Sequence, residues 1–211
     1  MLQRAADLMQ EAETFSLEVI QAGAPFIFEI DLGEGVIGVR FNRAIGQFVQ
    51  PGEVLADVSV RAGLPIDMMI YANGPDQWYN APLIGWINED FAEDFDPTRM
   101  VRDDGGFESA VGALQALNYE GRDTINGVGT YHFSGEADGL GLSDLLVGLI
   151  VIEGIVPVDV HIDRETGYPV RLIIEQPGTA TEDHPENTRW QVDVFGINAD
   201  DEIVRPQAQG S

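Results

Sequence analysis

The side chains able to do chemistry are few. The chain has three histidines, His132, His161 and His184, and no cysteine. Imidazoles ligate metals and move protons near neutral pH. His161 and Asp163, joined by His132, would make a metal-ligand set if they met. A strand over VDVHID puts His161 and Asp163 on one face, the face turned to solvent, and that alone closes no site. Ser134 and Ser143 have no detectable base partner to activate them. The acidic pairs Glu89/Asp90 and Asp103/Asp104 read as solvated loops. The zinc-protease HExxH, the nucleophile elbow GxSxG, the P-loop and the dinucleotide GxGxxG do not occur in the structural context each needs. The absence of Cys removes thiol catalysis, Cys-ligated zinc and iron–sulfur clusters. On these grounds the sequence points away from an enzyme and offers no catalytic residue, metal site or cofactor site.

Charge narrows the partners. Lys plus Arg number 11 against 36 Asp plus Glu, a formal net charge of −25. Every one of those cations is Arg. Such a surface repels nucleic acid and anionic lipid headgroups, since both need a basic patch to release counterions. No run reaches the roughly 20 apolar residues that span a bilayer. The nearest, Leu140 to Val158, is broken by Asp144, Glu153 and several glycines. Met1 leads into an amphipathic helix pattern, not a basic segment with an apolar core. The chain therefore reads either as a protein without an export signal or as a mature segment with a start Met added.

The positioning elements follow from periodicity. Leu2, Ala5, Ala6, Leu8, Met9 and Ala12 form a helical stripe over residues 2–13. From Phe15 the period becomes two: Phe15, Leu17, Val19; then Phe26, Phe28, Ile30; then Ile37, Val39, Phe41; then Val54, Ala56, Val58, Val60; then Ile66, Met68, Ile70. Turn formers separate the runs, which indicates an antiparallel meander with one wet and one dry face. Residues 88–118 carry apolar groups at helical spacing, notably Phe107, Val111, Leu114 and Leu117. Strand character returns in GTYHFSG (129–135), and a second helix is expected from Ser143, as N-cap, to Glu153. VPVDVHID, a turn at RETG, YPVRLIIEQ, a polar loop at 177–188, and a final strand pair RWQVDVFGI and EIVRP complete the chain. Residues 1–206 read as one domain and 207–211 as a frayed tail. Runs of strands with grouped helices argue for α+β, helices on one face of a large curved sheet. Such a pattern leaves room for a cavity and would equally build a solid core.

At this point the sequence resembles a known family. NYEGRDTINGVGTYHFSG (118–135), IGQFVQPGEVLADVSV (45–60), WYNAPLIGW (78–86), FDPTRMV (95–101) and VDVHIDRETGYPVRL (158–172) are similar, in order, to elements of the LppX/LprG-type lipoproteins of mycobacteria and their relatives. The hairpin tryptophan of that family is replaced here by His161 or Ile162, and there is no lipobox Cys. The resemblance implies a half-barrel of antiparallel strands with helices on its concave side, related to the carrier LolA. It also implies an apolar cavity for acylated lipids or glycolipids, and a membrane anchor through an N-terminal lipidated Cys absent from this chain. An extracytoplasmic carrier, with an export transporter among its partners, is the function implied. The alternative is a non-catalytic sensor or protein-interaction domain on the same fold.

The resemblance turns part of the dry stripe into a cavity wall. Its candidates are Phe26, Phe28, Ile30, Ile37, Val39, Phe41, Val58, Val60, Met68 and Ile70, with Val160, Leu172 and Ile174 from the last sheet segment. GLGLSDLLVGLIVIEG (139–154) is the candidate lid, through Leu142, Leu145, Leu146, Leu149 and Ile150. Its apolarity demands burial, while its glycines each weaken a helix by roughly 1 kcal/mol. Trp78, Tyr79 and Trp86 are either a rim near a headgroup or hairpin anchors.

Overall fold

Alternating residues become strands where a neighbouring ladder is available, and this decides most of the architecture. The computed structural model describes residues 1–31, 36–81, 85–90, 95–147, 150–200 and 202–207, without the side chains of 29–31, 36, 37 and 81. The expected side-chain positions of Ile30, Ile37 and Leu149, and the tail 208–211, lie outside the described residues. Helix α1 (Leu2–Glu11) is followed by strands β1 (Thr14–Ala22), β2 (Ile27–Asp31), β3 (Val36–Val49), β4 (Glu53–Ala62), β5 (Leu64–Asn73), β6 (Asp76–Ala81) and β7 (Gly85–Asn88). After a 3-10 turn at Pro97–Met100 come α2 (Gly106–Ala113), β8 (Leu114–Ile125), β9 (Val128–Asp138), α3 (Gly139–Ser143) and a second 3-10 turn at Asp144–Leu146. Strands β10 (Ile155–Asp163), β11 (Pro169–Gln176) and β12 (Thr188–Phe195) close the chain.

All the strands join one open, curved antiparallel sheet, in the order β7-β6-β5-β4-β3-β1-β12-β11-β10-β9-β8. β2 pairs with the first part of β3, while β1 pairs with its second part. The two short strands thus run end to end along one long one, broken at Gly23, whose φ of +72° needs a residue without Cβ. The helices cover the inner face. Ala5, Ala6 and Met9 are the buried stripe of α1, and Phe15 stacks on Phe48 and meets the edge of Phe107 from α2.

Three expected elements differ. The helix expected to include Leu114 and Leu117 stops at Ala113, because Leu114 is already extended. Downstream, Asn126 and Gly127 both take positive φ between β8 and β9, the two-residue turn that matches strand twist. That hairpin draws 114–125 into the sheet against its helical spacing. Among the described residues of 143–153 the expected helix does not continue past the 3-10 turn. α3 ends at Ser143, and Val147 reverses the chain with φ +50°. Ser143 stands at the N-cap position of the 3-10 turn but its side chain does not cap it: the hydroxyl donates to the Gly139 carbonyl and accepts from the Ile152 N–H. Asp138 caps the short helix instead, accepting from the Leu140 N–H. EIVRP forms no strand, since β12 is already paired on both sides, with β1 and with β11. Among the described residues no helix is long and apolar enough to cross a membrane.

Candidate functional site

Between the inner face of β1 and β3–β6 and the 144–150 segment lies an apolar cavity of about 660 Å³. A volume of this order is that of a ligand pocket, where packed interiors leave little void larger than a water. The space exists because several inward positions carry little or no side chain. Ala44, Gly46 and Ala56 line it, and β3 and β4 pair Ala44 with Val58 and Gly46 with Ala56. A Cβ on Gly46 would stand 2.6 Å from that of Ala56, so glycine permits the close approach there.

One end is closed by aromatic rings. Phe28 packs against Phe41 with centroids 6.3 Å apart, and Phe41 against Trp190 at 5.7 Å. Phe26 bridges Phe28 and Trp190 from behind, at 4.9 and 5.4 Å. Trp190 is fully buried, and its indole N–H donates to Gln176 Oε1 at 2.8 Å. The cover is Leu145, Leu146, Val147 and Ile150, joined by Phe95 and Met100. Among the described residues the polar members of the wall are Gln47, Glu89 and Asp90. Glu89 and Asp90 are exposed, as expected of a solvated loop, and they therefore mark where the wall reaches solvent.

Of the wall expected from sequence, Phe28, Phe41, Val58, Val60, Met68, Ile70, Leu145, Leu146 and Ile150 border this cavity. Val160, Leu172 and Leu142 do not; they border a separate void of about 50 Å³ under α1 and α2. Val39 and Ile174 are buried without lining either space, and Phe26 packs behind the wall. Tyr79 lines the cavity and Trp78 and Trp86 do not. The sequence reading left out Leu17, Val19, Ala44, Phe48, Val54 and Ala56. Leu17, Val19, Val54 and Ala56 share the parity of their runs and were recoverable. Ala44 and Phe48 were hidden by a bulge between Phe41 and Arg43, which moves the inward positions of β3 from odd to even numbers.

The outer face carries a polar row across the strands. His132, His161, Arg171, Asp193 and Glu18 occupy successive paired positions on β9, β10, β11, β12 and β1. Arg171 grips Asp193 with two bonds, at 2.6 and 2.5 Å, and this charge-assisted pairing pushes its pKa up. His161 is only 4% exposed, so this face is drier at its centre than alternation implies. Burial, then the neighbouring His132, hold the His161 pKa below the usual imidazole value. The two imidazoles stack at 4.3 Å and 6°. Asp163, expected beside His161, instead ties the following turn through the Glu165 N–H and the Thr166 hydroxyl.

The geometry agrees with comparisons to known proteins. The chain is similar to the structure of LprF from Mycobacterium bovis, with 18% identity and a TM-score of 0.66 over 97% of this chain and 94% of that one. It is also similar to the Mycobacterium tuberculosis lipoprotein LppX, with 14% identity and a TM-score of 0.61 over 96% of each chain. At these identities the likeness establishes the fold. No curated protein matches it by sequence. The LppX_LprAFG lipoprotein profile, however, matches residues 35–198, most of the chain, and on that match the protein belongs to the LppX_LprAFG lipoprotein family.

Proposed function

We propose that the protein is a non-catalytic carrier that sequesters acyl chains of a lipid or glycolipid in its cavity, outside the cytoplasmic membrane, for transfer between membranes or proteins. The observation that carries this reading is the 660 Å³ apolar space itself, together with membership of a lipoprotein family. Each methylene removed from water contributes about 0.8 kcal/mol, so a chain of ~16 carbons gains at most roughly 12 kcal/mol before entropic costs. No reactive group is required. The lipid headgroup stays near Glu89 and Asp90, which disfavour an anionic one. Leu145, Leu146 and Val147, with Ile150, act as the cover that moves, since the 3-10 turn and the α3 that precedes it are too short to be stable without their packing. Membrane attachment and handover to an export transporter fit the same reading.

Native mass spectrometry of the purified chain is the direct test, and the expected result is co-purifying lipid at near-stoichiometric amounts. Fluorescent fatty acid added to delipidated protein should bind, and Ile150→Asp should abolish that binding. Ile150 is 3% exposed, and a carboxylate there is buried without a partner. Absence of lipid in the native spectrum together with no fatty-acid uptake by a folded sample would return the protein to the interaction-domain reading.

A further inference from the structure

The stacked histidines on the outer face do not belong to the cavity, and they have a third neighbour. One ring nitrogen each of His132 and His161 and a carboxylate oxygen of Asp123 lie within 4.8 Å of one another. The three residues come from β9, β10 and β8, so the sheet itself brings them together: His132 pairs with His161, and Asp123 stands opposite Thr130, two residues before His132. We infer that this cluster is a binding site for a divalent first-row transition cation of the zinc class, held by His132, His161 and Asp123.

The donor set suits that ion. Two imidazoles and a carboxylate match zinc and its borderline neighbours, whereas calcium and magnesium prefer oxygen alone. A tetrahedral ion with bonds of about 2.0–2.1 Å places its ligand atoms roughly 3.3 Å apart. His161 Nδ1 and Asp123 Oδ2 are 3.9 Å apart, so side-chain rotation closes the gap without moving a strand. His132 Nε2 lies 2.7 Å from Asp159 Oδ1. A carboxylate on the second nitrogen of a ligating histidine fixes its tautomer and raises its basicity, and Asp159 does this when His132 ligates through Nδ1, the nitrogen the site assigns to the ion. An ion lies in the plane of each imidazole that ligates it, and the two rings stack face to face, so loading the site turns His132, the more exposed of the two, out of the stack to face the ion. The side chain of Asp123 is about half exposed, which leaves a route for the ion and room for water as a fourth ligand.

A structural reading of the same residues is a cross-strand polar pair that only fills the sheet surface, and the two differ in experiment. The whole chain is titrated calorimetrically with zinc chloride in excess Mg²⁺, which occupies the unspecific carboxylates of so acidic a surface. Imidazole ¹⁵N shifts are followed in parallel. The expected result is one zinc ion per chain, shifts confined to His132 and His161, and a raised melting temperature. His132→Gln should abolish that binding, Asp123→Asn should weaken it at least tenfold, and Asp159→Asn by about tenfold, as outer partners of ligating histidines do. These three side chains are partly exposed, so their variants keep the fold, which circular dichroism checks. Absence of stoichiometric uptake, or uptake that His132→Gln leaves unchanged, would overturn the site.

Discussion

Between the β3–β6 side of the sheet and the 144–150 segment there is about 660 Å³ of apolar space. Between β10–β12 and the helices α1 and α2 there is about 50 Å³. The two regions share one inner face and the same alternating strand pattern, so the strands do not decide which is hollow. The covering layer does. Over β10–β12, α1 and α2 set Leu2, Ala5, Ala6, Phe107 and Ala110 against Val160, Ile162, Leu172 and Val192. Over β3–β6 the cover is the 3-10 turn at Asp144–Leu146 with Val147 and Ile150, joined by Phe95 and Met100, facing a wall thinned by Ala44, Gly46 and Ala56. A regular helix offers a ridge that fills a groove, and a broken one spans it.

The largest expected contrast comes from the same truncation on each side. Ile162 is 1% exposed in the packed region, and Ile162→Ala should lose about 2–5 kcal/mol, from transfer and from the new hole together. Met68 borders space that is already open. In delipidated protein Met68→Ala creates little additional void and should cost about 1 kcal/mol or less. Denaturant midpoints at equal slope measure both. Equal losses would mean that the cavity is closed in solution.

Additions should show the reverse, with smaller effects. Ala6 is 1% exposed under α1, and Ala6→Leu should overpack at a cost of about 1–3 kcal/mol. Ala44→Leu places the same atoms into the cavity. It should leave stability within about 0.5 kcal/mol, as substitutions away from packed contacts do, and reduce fatty-acid capacity. A destabilised Ala44→Leu protein would show that the wall there is already in contact with its cover.

How much of this was legible in the sequence depends on what sets each feature. The sheet strands β1 to β5 and β9 to β12 follow from alternation, and most of the wall follows from their parity. The inward shift at Ala44 was not legible, because one extra residue in the ladder reverses parity without changing composition. Nor was the start of β8, at Leu114, where the turn at Asn126 and Gly127 overrode helical spacing. The division of one apolar stripe into wall and filled core also escaped, since Val160 and Val60 differ only in what packs above them. The histidine pair was noticed, but Asp123 was missed because its place beside His161 depends on the registers of two hairpins.

The smallest effects separate the two helices that meet beneath the cover. Gly112 lies in α2, and a Cβ there would meet nothing within 4 Å. Gly112→Ala lowers the entropy of the unfolded chain and should stabilise by up to about 0.5–1 kcal/mol, less if the helix end frays. Gly141 lies in α3, where a Cβ would stand 2.6 Å from Ala113 Cβ and 3.2 Å from the Ser109 carbonyl. Both obstacles belong to α2 or its end, and neither is the tip of a flexible side chain. Gly141→Ala must therefore push α3 off α2, at a cost of about 1 kcal/mol. Because α3 leads directly into Leu145 and Leu146, that displacement loosens the cover while the sheet keeps its ladder. Fatty-acid exchange should accelerate in Gly141→Ala and stay at the wild-type rate in Gly112→Ala, although both replace glycine with alanine in neighbouring helices. Stopped-flow displacement of a bound fluorescent fatty acid reads the difference. Equal rates in the two variants would separate the seating of α3 from access to the cavity and leave the cover to open from the 95–100 side instead.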